Sequence, residues 1–176
     1  SNINTLEGVK LFREALAEVT YKTKSNMQVI AGLQLLQYNQ EVYETKPEVP
    51  IVKTTTPYID VLYKFSRKKS LRTEVQYMFT NQDFGSWLFG LAEFGLAPNW
   101  IFEASGMYNT HPKKILGTST ELKKILYPSF GVVYNKGSNR YQLRYVKQVE
   151  GIVCSGGICR LEPAFSGIRF SLQSTF

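Results

Sequence analysis

Apolar and polar residues alternate one by one along most of the chain, and this period of two is the signature of half-buried β-strands. The clearest run is 71–80, "LRTEVQYMFT". Leu71, Thr73, Val75, Tyr77 and Phe79 fall on one side; Arg72, Glu74, Gln76, Met78 and Thr80 fall on the other. Residues 57–65 repeat the pattern, with Ile59, Val61, Tyr63 and Phe65 opposite Tyr58, Asp60, Leu62 and Lys64. So do residues 166–176, where Ile168, Phe170, Leu172 and Phe176 oppose Arg169, Ser171, Gln173 and Thr175. Less regular alternation places further strands at 12–22, 27–40, 86–97, 100–109, 125–135 and 140–150. Helical periodicity is poor throughout. The expectation is about nine strands of about ten residues each.

Short and long connections alternate between these strands. "KTKSN", "SRKKS", "APN" and "NKGSN" are short; 44–57, 80–86, 109–124 and 150–164 are long. An antiparallel meander with tight turns at one end and extended loops at the other is the pattern of an outer-membrane barrel. Strands of about 9–11 residues are what a tilted strand needs to cross the hydrocarbon. The expected fold is therefore all-β: an antiparallel, up-and-down transmembrane β-barrel, apolar face to lipid and polar face to the lumen. Tyr63, Tyr77, Trp100, Tyr108 and Tyr134, near strand ends, are candidates for the interfacial aromatic girdles. A soluble up-and-down barrel turned inside out would keep the same period. Strand length, loop alternation and the terminal aromatic Phe176 argue for the membrane form. With Phe176 at the periplasmic end as a barrel-assembly signal, the first visible strand begins outside. Single-chain bacterial barrels have an even strand number. The expectation is that residues 1–176 form the C-terminal portion of one larger barrel domain.

Charge and composition sharpen this picture. The 176 residues carry 21 Lys and Arg against 14 Asp and Glu, a net charge of +7, with 11 Tyr and 11 Phe. A basic surface points to anionic partners. No apolar run reaches the length of a membrane helix. "SNINTLEGVKLF" lacks the basic start and apolar core of a signal peptide, so an exported protein would have lost its signal or its N-terminal part.

The C-terminal stretch "EGIVCSGGICRLEPAFSGIRFSLQSTF" resembles the ends of large Bacteroidota outer-membrane β-barrel proteins known only as a domain of unknown function. The matching residues are Glu150, Gly151, Cys154, Gly156, Gly157, Cys159, Arg160, Pro163, Ala164, Gly167 and Phe176. Residues 68–109 also look like the family, except that Gly106 stands near a usual acidic residue. The likeness covers 68–109 and 125–176 and implies the outer membrane of a Bacteroidota-type envelope; it implies no activity.

Thiols oxidise in the cell envelope, so Cys154 and Cys159, around a Gly156–Gly157 tip, are expected to form a disulfide in the last external loop. So short a loop gains at most about 2–3 kcal/mol from closure. A redox-active pair is rejected, because the spacing is not C-x-x-C and no helix start lies nearby to lower a thiol pKa. His111, the single histidine, has no converging partners for a metal or a triad. No catalytic set, metal site or cofactor is expected, and the protein is read as a non-enzyme. Alternation turns Glu14, Glu18, Asp60, Lys64, Arg72, Glu74, Glu93, Glu103, Arg140, Arg144 and Arg169 to the lumen. Such charges could filter solutes or brace a salt-bridged interior, and their mixed signs favour bracing. Basic turns at Lys22, Lys24, Arg67, Lys68, Lys69, Lys136 and Arg140 are placed against inner-leaflet lipid, with a solvated charge run as the alternative. Lys113, Lys114, Lys123 and Lys124 are placed against lipopolysaccharide. Nucleic acid is excluded as a partner, because the basic residues divide between opposite strand ends. The expected function is a structural or accessory subunit of a larger outer-membrane secretion or assembly complex, in contact with other envelope proteins. The alternative is a porin-like transport barrel for a small solute.

Overall fold

A computed structural model describes residues 11–23, 26–44, 48–82, 84–112, 124, 126–148, 151–155 and 158–175; the side chains of 43, 44 and 151–162 lie outside that description. The chain forms one nine-stranded antiparallel sheet. Its members are β1 (Phe12–Lys22), β2 (Met27–Tyr38), β3 (Val52–Ser66), β4 (Lys69–Met78), β5 (Gly85–Leu96), β6 (Trp100–Pro112), β7 (Leu126–Lys136), β8 (Asn139–Gln148) and β11 (Phe165–Ser174). Each strand pairs with the next in sequence up to β8, and β8 then pairs with β11. Between those two a small separate hairpin forms from β9 (Gly151–Ser155) and β10 (Ile158–Glu162). The sheet is up-and-down and is not closed: β1 and β11 are its two edges.

The strands fall where alternation places them, and the departures have local causes. β3 begins at Val52, inside what reads as a long loop. Its first turn inward is carried by Val52, Thr54 and Thr56, all buried, against exposed Lys53 and Thr55. Threonine has the β-branched shape of a strand residue without the apolarity that marks one in sequence. The segment between β2 and β3 holds a single helical turn, α1 (Gln40–Glu44). Asn39 starts it: its side-chain oxygen accepts the Glu41 amide at 2.9 Å, an N-cap.

One interruption in the sheet traces to a single residue. Thr55 and Phe79 exchange both backbone hydrogen bonds, at 3.0 and 2.9 Å, and regular pairing resumes at Tyr58 opposite Gln76. In that register Pro57 faces Tyr77, where the next mutual pair belongs, and proline has no N–H to give.

The tight connections gather at one end of the sheet: Arg67–Lys68, 97–99 and 137–138, together with the turn after Lys22. The long ones gather at the other. At that long-loop end α1, which follows β2, lies against β10, which precedes β11. Connections from near the two edges therefore meet at that end. Asn39, Gln40, Val52, Thr54, Thr56, Thr80, Ser86, Trp87 and Asn109 are buried in that region, with the Trp87 ring 5.7 Å from Tyr127.

Replacing Pro57 with Val restores the missing donor. Native-state hydrogen exchange should then show a protected amide at residue 57, with protection of residues 76–79 rising; an amide that exchanges freely would mean the ladder is broken for another reason.

Candidate functional site: the polar face of the sheet

The pairing register assigns every strand residue to one of two faces. Reading across from β1, Lys22, Gln28, Leu62, Arg72, Glu93, Glu103, Gly131, Arg144 and Arg169 are successive neighbours. The adjacent row on that face contains Thr20, Ile30, Asp60, Glu74, Leu91, Ser105, Ser129, Val146 and Gly167. This is the polar face. Glu14, Glu18, Asp60, Lys64, Arg72, Glu74, Glu93, Glu103, Arg140, Arg144 and Arg169 all belong to it by register.

Its charges are arranged to neutralise one another. Asp60 and Glu74 are direct cross-strand partners, an arrangement that two carboxylates resist. Arg72, two residues along β4, resolves it. Its guanidinium donates to Asp60 Oδ2 from Nε at 2.7 Å and to Glu74 Oε2 from a terminal nitrogen at 2.8 Å. Both acid side chains are only 12–13% exposed, so the arginine compensates carboxylates that have lost most of their water. Gln76 donates its amide to Glu74 as well.

A second opposed acid pair, Glu93 and Glu103, lies on β5 and β6. Arg72 is the register neighbour of Glu93 on one side. On the other, Arg144 reaches from β8 across the whole of β7 to bond Glu103. The residue it passes over is Gly131. A Cβ there would lie 3.0 Å from Glu103 Oε2 and 3.3 Å from Arg144 Nε. The same device recurs near the β1 edge. Tyr58 on β3 lies over Gly32 on β2, whose Cβ would stand 2.4 Å from the ring, and donates its hydroxyl to Glu18 on β1. Glycine on this face lets a side chain skip a strand.

Further polar contacts complete the network. Gln34 donates to Glu14 at 2.6 Å. Arg169 donates to Gln148 at 3.0 Å and stacks over Phe165 at 4.9 Å. The acids Glu14, Glu18, Asp60, Glu74, Glu93 and Glu103 lie on β1 and β3–β6 alongside Lys22, Lys64 and Arg72, whereas β8 and β11 carry Arg140, Arg144 and Arg169 and no acid.

The opposite face is apolar and exposed. Val19 is 73% exposed, Ile168 71% and Phe170 66%, and Leu33, Ile59, Val75, Leu88, Phe102, Phe130 and Leu143 are exposed on it too. Tyr63, Tyr77, Trp100, Tyr108 and Tyr134 share this face by register. Their rings associate, with centroids 4.9 Å apart for Tyr63–Phe65, 4.5 Å for Trp100–Tyr134 and 4.4 Å for Tyr77–Phe79.

Other sequence candidates stand apart from this network. The backbones of Cys154 and Cys159 are direct partners in the β9–β10 hairpin, a register compatible with a bridge; their side chains lie outside the described residues. Phe176, Lys24, Lys113, Lys114 and Lys123 also lie outside them, and Lys124 is exposed. His111 Nδ1 sits 3.2 Å from Thr110 Oγ1 and 3.4 Å from the Tyr77 hydroxyl. Sequence reasoning missed Gly32, Gly131 and Tyr58. The available signal was a glycine at a polar-face position of a strand, where a side chain would otherwise be expected.

The chain belongs to a family of unknown function, DUF6029, whose profile matches residues 2–176. No curated protein and no solved structure matches it.

Arg72→Ala should lower unfolding stability by roughly 1–3 kcal/mol, because it leaves Asp60 and Glu74 opposed and poorly hydrated. Adding Asp60→Asn and Glu74→Gln should recover most of that loss in urea titrations. Gly131→Val and Arg144→Ala should be non-additive, since both break one contact; fully additive losses would separate Gly131 from the ion pair.

Proposed function

We propose that this chain is part of the wall of a β-barrel integral to a bacterial outer membrane, and that it serves a structural or accessory role in a larger outer-membrane complex. The observation that carries this reading is the exposed apolar face that runs through the sheet, with nothing among the described residues packed on it. An uncovered apolar surface of that extent needs an apolar medium. The opposite face then lines the barrel interior, where its charges brace the wall.

Topology supports membership of a larger barrel. β1 and β11 both run from the long-loop end to the tight-turn end, so direct pairing between them would be parallel. Antiparallel closure takes an odd number of strands beyond these nine, from the same polypeptide or from a partner. A bilayer tolerates no open edge, because unpaired backbone groups there have no water to turn to. The C-terminal Cys154–Cys159 segment supports a Bacteroidota-type envelope. In that setting the two cysteines form a disulfide, and Lys113, Lys114, Lys123 and Lys124 contact lipopolysaccharide.

The accessory role rests on the paired state of Arg72 and Arg144, whose guanidinium groups are committed to wall carboxylates. A transport role is favoured instead by one observation, that every acid of this face lies on β1 and β3–β6 while β8 and β11 carry arginines alone, which would set a transverse field across a lumen.

The test is extraction of the full-length protein from native outer membranes in mild detergent. It should resist alkaline carbonate, migrate differently before and after heating on gels, and co-purify with a stoichiometric envelope partner. Release into the soluble fraction would sink the membrane reading. A lone barrel that conducts ions in planar bilayers would replace the accessory role with transport.

A further inference from the structure

At the tight-turn end, the β3–β4 and β5–β6 hairpins enclose a cleft of about 480 Å³. Lys64, Arg67, Lys68 and Lys69 line it, facing a single carboxylate, Glu93. Glu93 is already the register neighbour of Arg72, and none of the four cations is ion-paired with a described carboxylate. Elsewhere on the polar face Arg72 and Arg144 are committed to acids. Here four cations face one acid, and positive charge is in excess.

The cleft is held in shape by backbone bonds between turns. The Ala97 amide donates to the Lys68 carbonyl at 2.8 Å, fastening one hairpin to the next. Asn99 is fastened to β7 twice: its carbonyl accepts the Asn135 amide at 2.8 Å, and its side-chain amide donates to the Asn135 carbonyl at 2.6 Å. Cations on a fixed frame lose less entropy when an anion arrives than cations on a loose loop.

The cleft also straddles the rim of the sheet. Lys64, Ser70 and Glu93 belong to the polar face, whereas Lys69, Leu96 and Trp100 belong to the apolar one. Its outer wall therefore runs directly onto the exposed Trp100 and Phe102. Positive charge on one side and apolar surface on the other matches an anionic head carried on an acyl body, rather than an anion alone.

We infer that this cleft binds the phosphodiester head group of an anionic glycerophospholipid, with Lys64, Arg67, Lys68 and Lys69 around the phosphate and Trp100 against the glycerol and upper acyl region. The inference rests on the apolar face meeting lipid, and it adds a defined site and a head-group preference.

The test is native mass spectrometry of the full-length protein in dodecyl maltoside, titrated separately with phosphatidylglycerol and phosphatidylcholine. Phosphatidylglycerol should be retained preferentially. Arg67→Gln with Lys68→Gln should weaken its binding about 25-fold, from about fivefold per cation near a lipid surface. Lys53→Gln with Lys147→Gln, which removes the same charge outside the cleft, should leave it unchanged. Equal loss in both double variants would overturn the site in favour of general attraction. Displacement of the lipid by millimolar inorganic phosphate would overturn the lipid assignment in favour of a free anion. A protein that enters bilayers yet shows no head-group preference overturns this inference alone; one that fails to enter them removes the membrane reading beneath it.

Discussion

A single sheet has two faces, and a fold with no second layer must find something else to cover the apolar one. Everything in this molecule follows from that constraint. The usual remedies, a facing sheet or a layer of helices, are missing among the described residues: the one helix is a single turn, and the one extra hairpin sits at the end of the sheet. The strands put their acids, amides and arginines on one face and leave most of the aliphatic and aromatic side chains exposed on the other.

The polar face is correspondingly rigid in its chemistry. Charges in such a setting are costly unless paired, and the pairing here extends beyond nearest neighbours. Arg144 crosses β7 at Gly131, and Tyr58 crosses β2 at Gly32. Each crossing couples strands that share no backbone hydrogen bond. The network therefore resists shear between strands as well as separation, which an ordinary ladder of cross-strand pairs does less well.

Alternation made the nine strands and the sorting of their side chains legible in the sequence, because period two and face assignment are the same physical fact. Where polar β-branched residues stood in for apolar ones, as at Thr54 and Thr56, the signal faded and the start of β3 read as loop. α1 was invisible because a single turn cannot display a helical period. The β9–β10 hairpin was hidden for a related reason: its strands are too short to show an alternation. The ion-pair partners of Arg72 and Arg144 were not legible at all. They depend on register, which pairing of whole strands decides, and on glycines whose role is to be absent from the space above them.

The order of strands in the sheet carries a consequence for how the wall is made. From β1 to β8 each strand pairs with its immediate successor, and only the β9–β10 hairpin intervenes before β11 joins. Every pairing from β1 to β8 is thus between strands that are neighbours in sequence, so each loop closure is local to one connection. The wall can grow by adding one hairpin at a time to a moving edge, as a zip closes tooth by tooth. Until another strand arrives, the growing margin stays as receptive as the first, because each edge keeps a row of backbone donors and acceptors that the sheet itself does not satisfy.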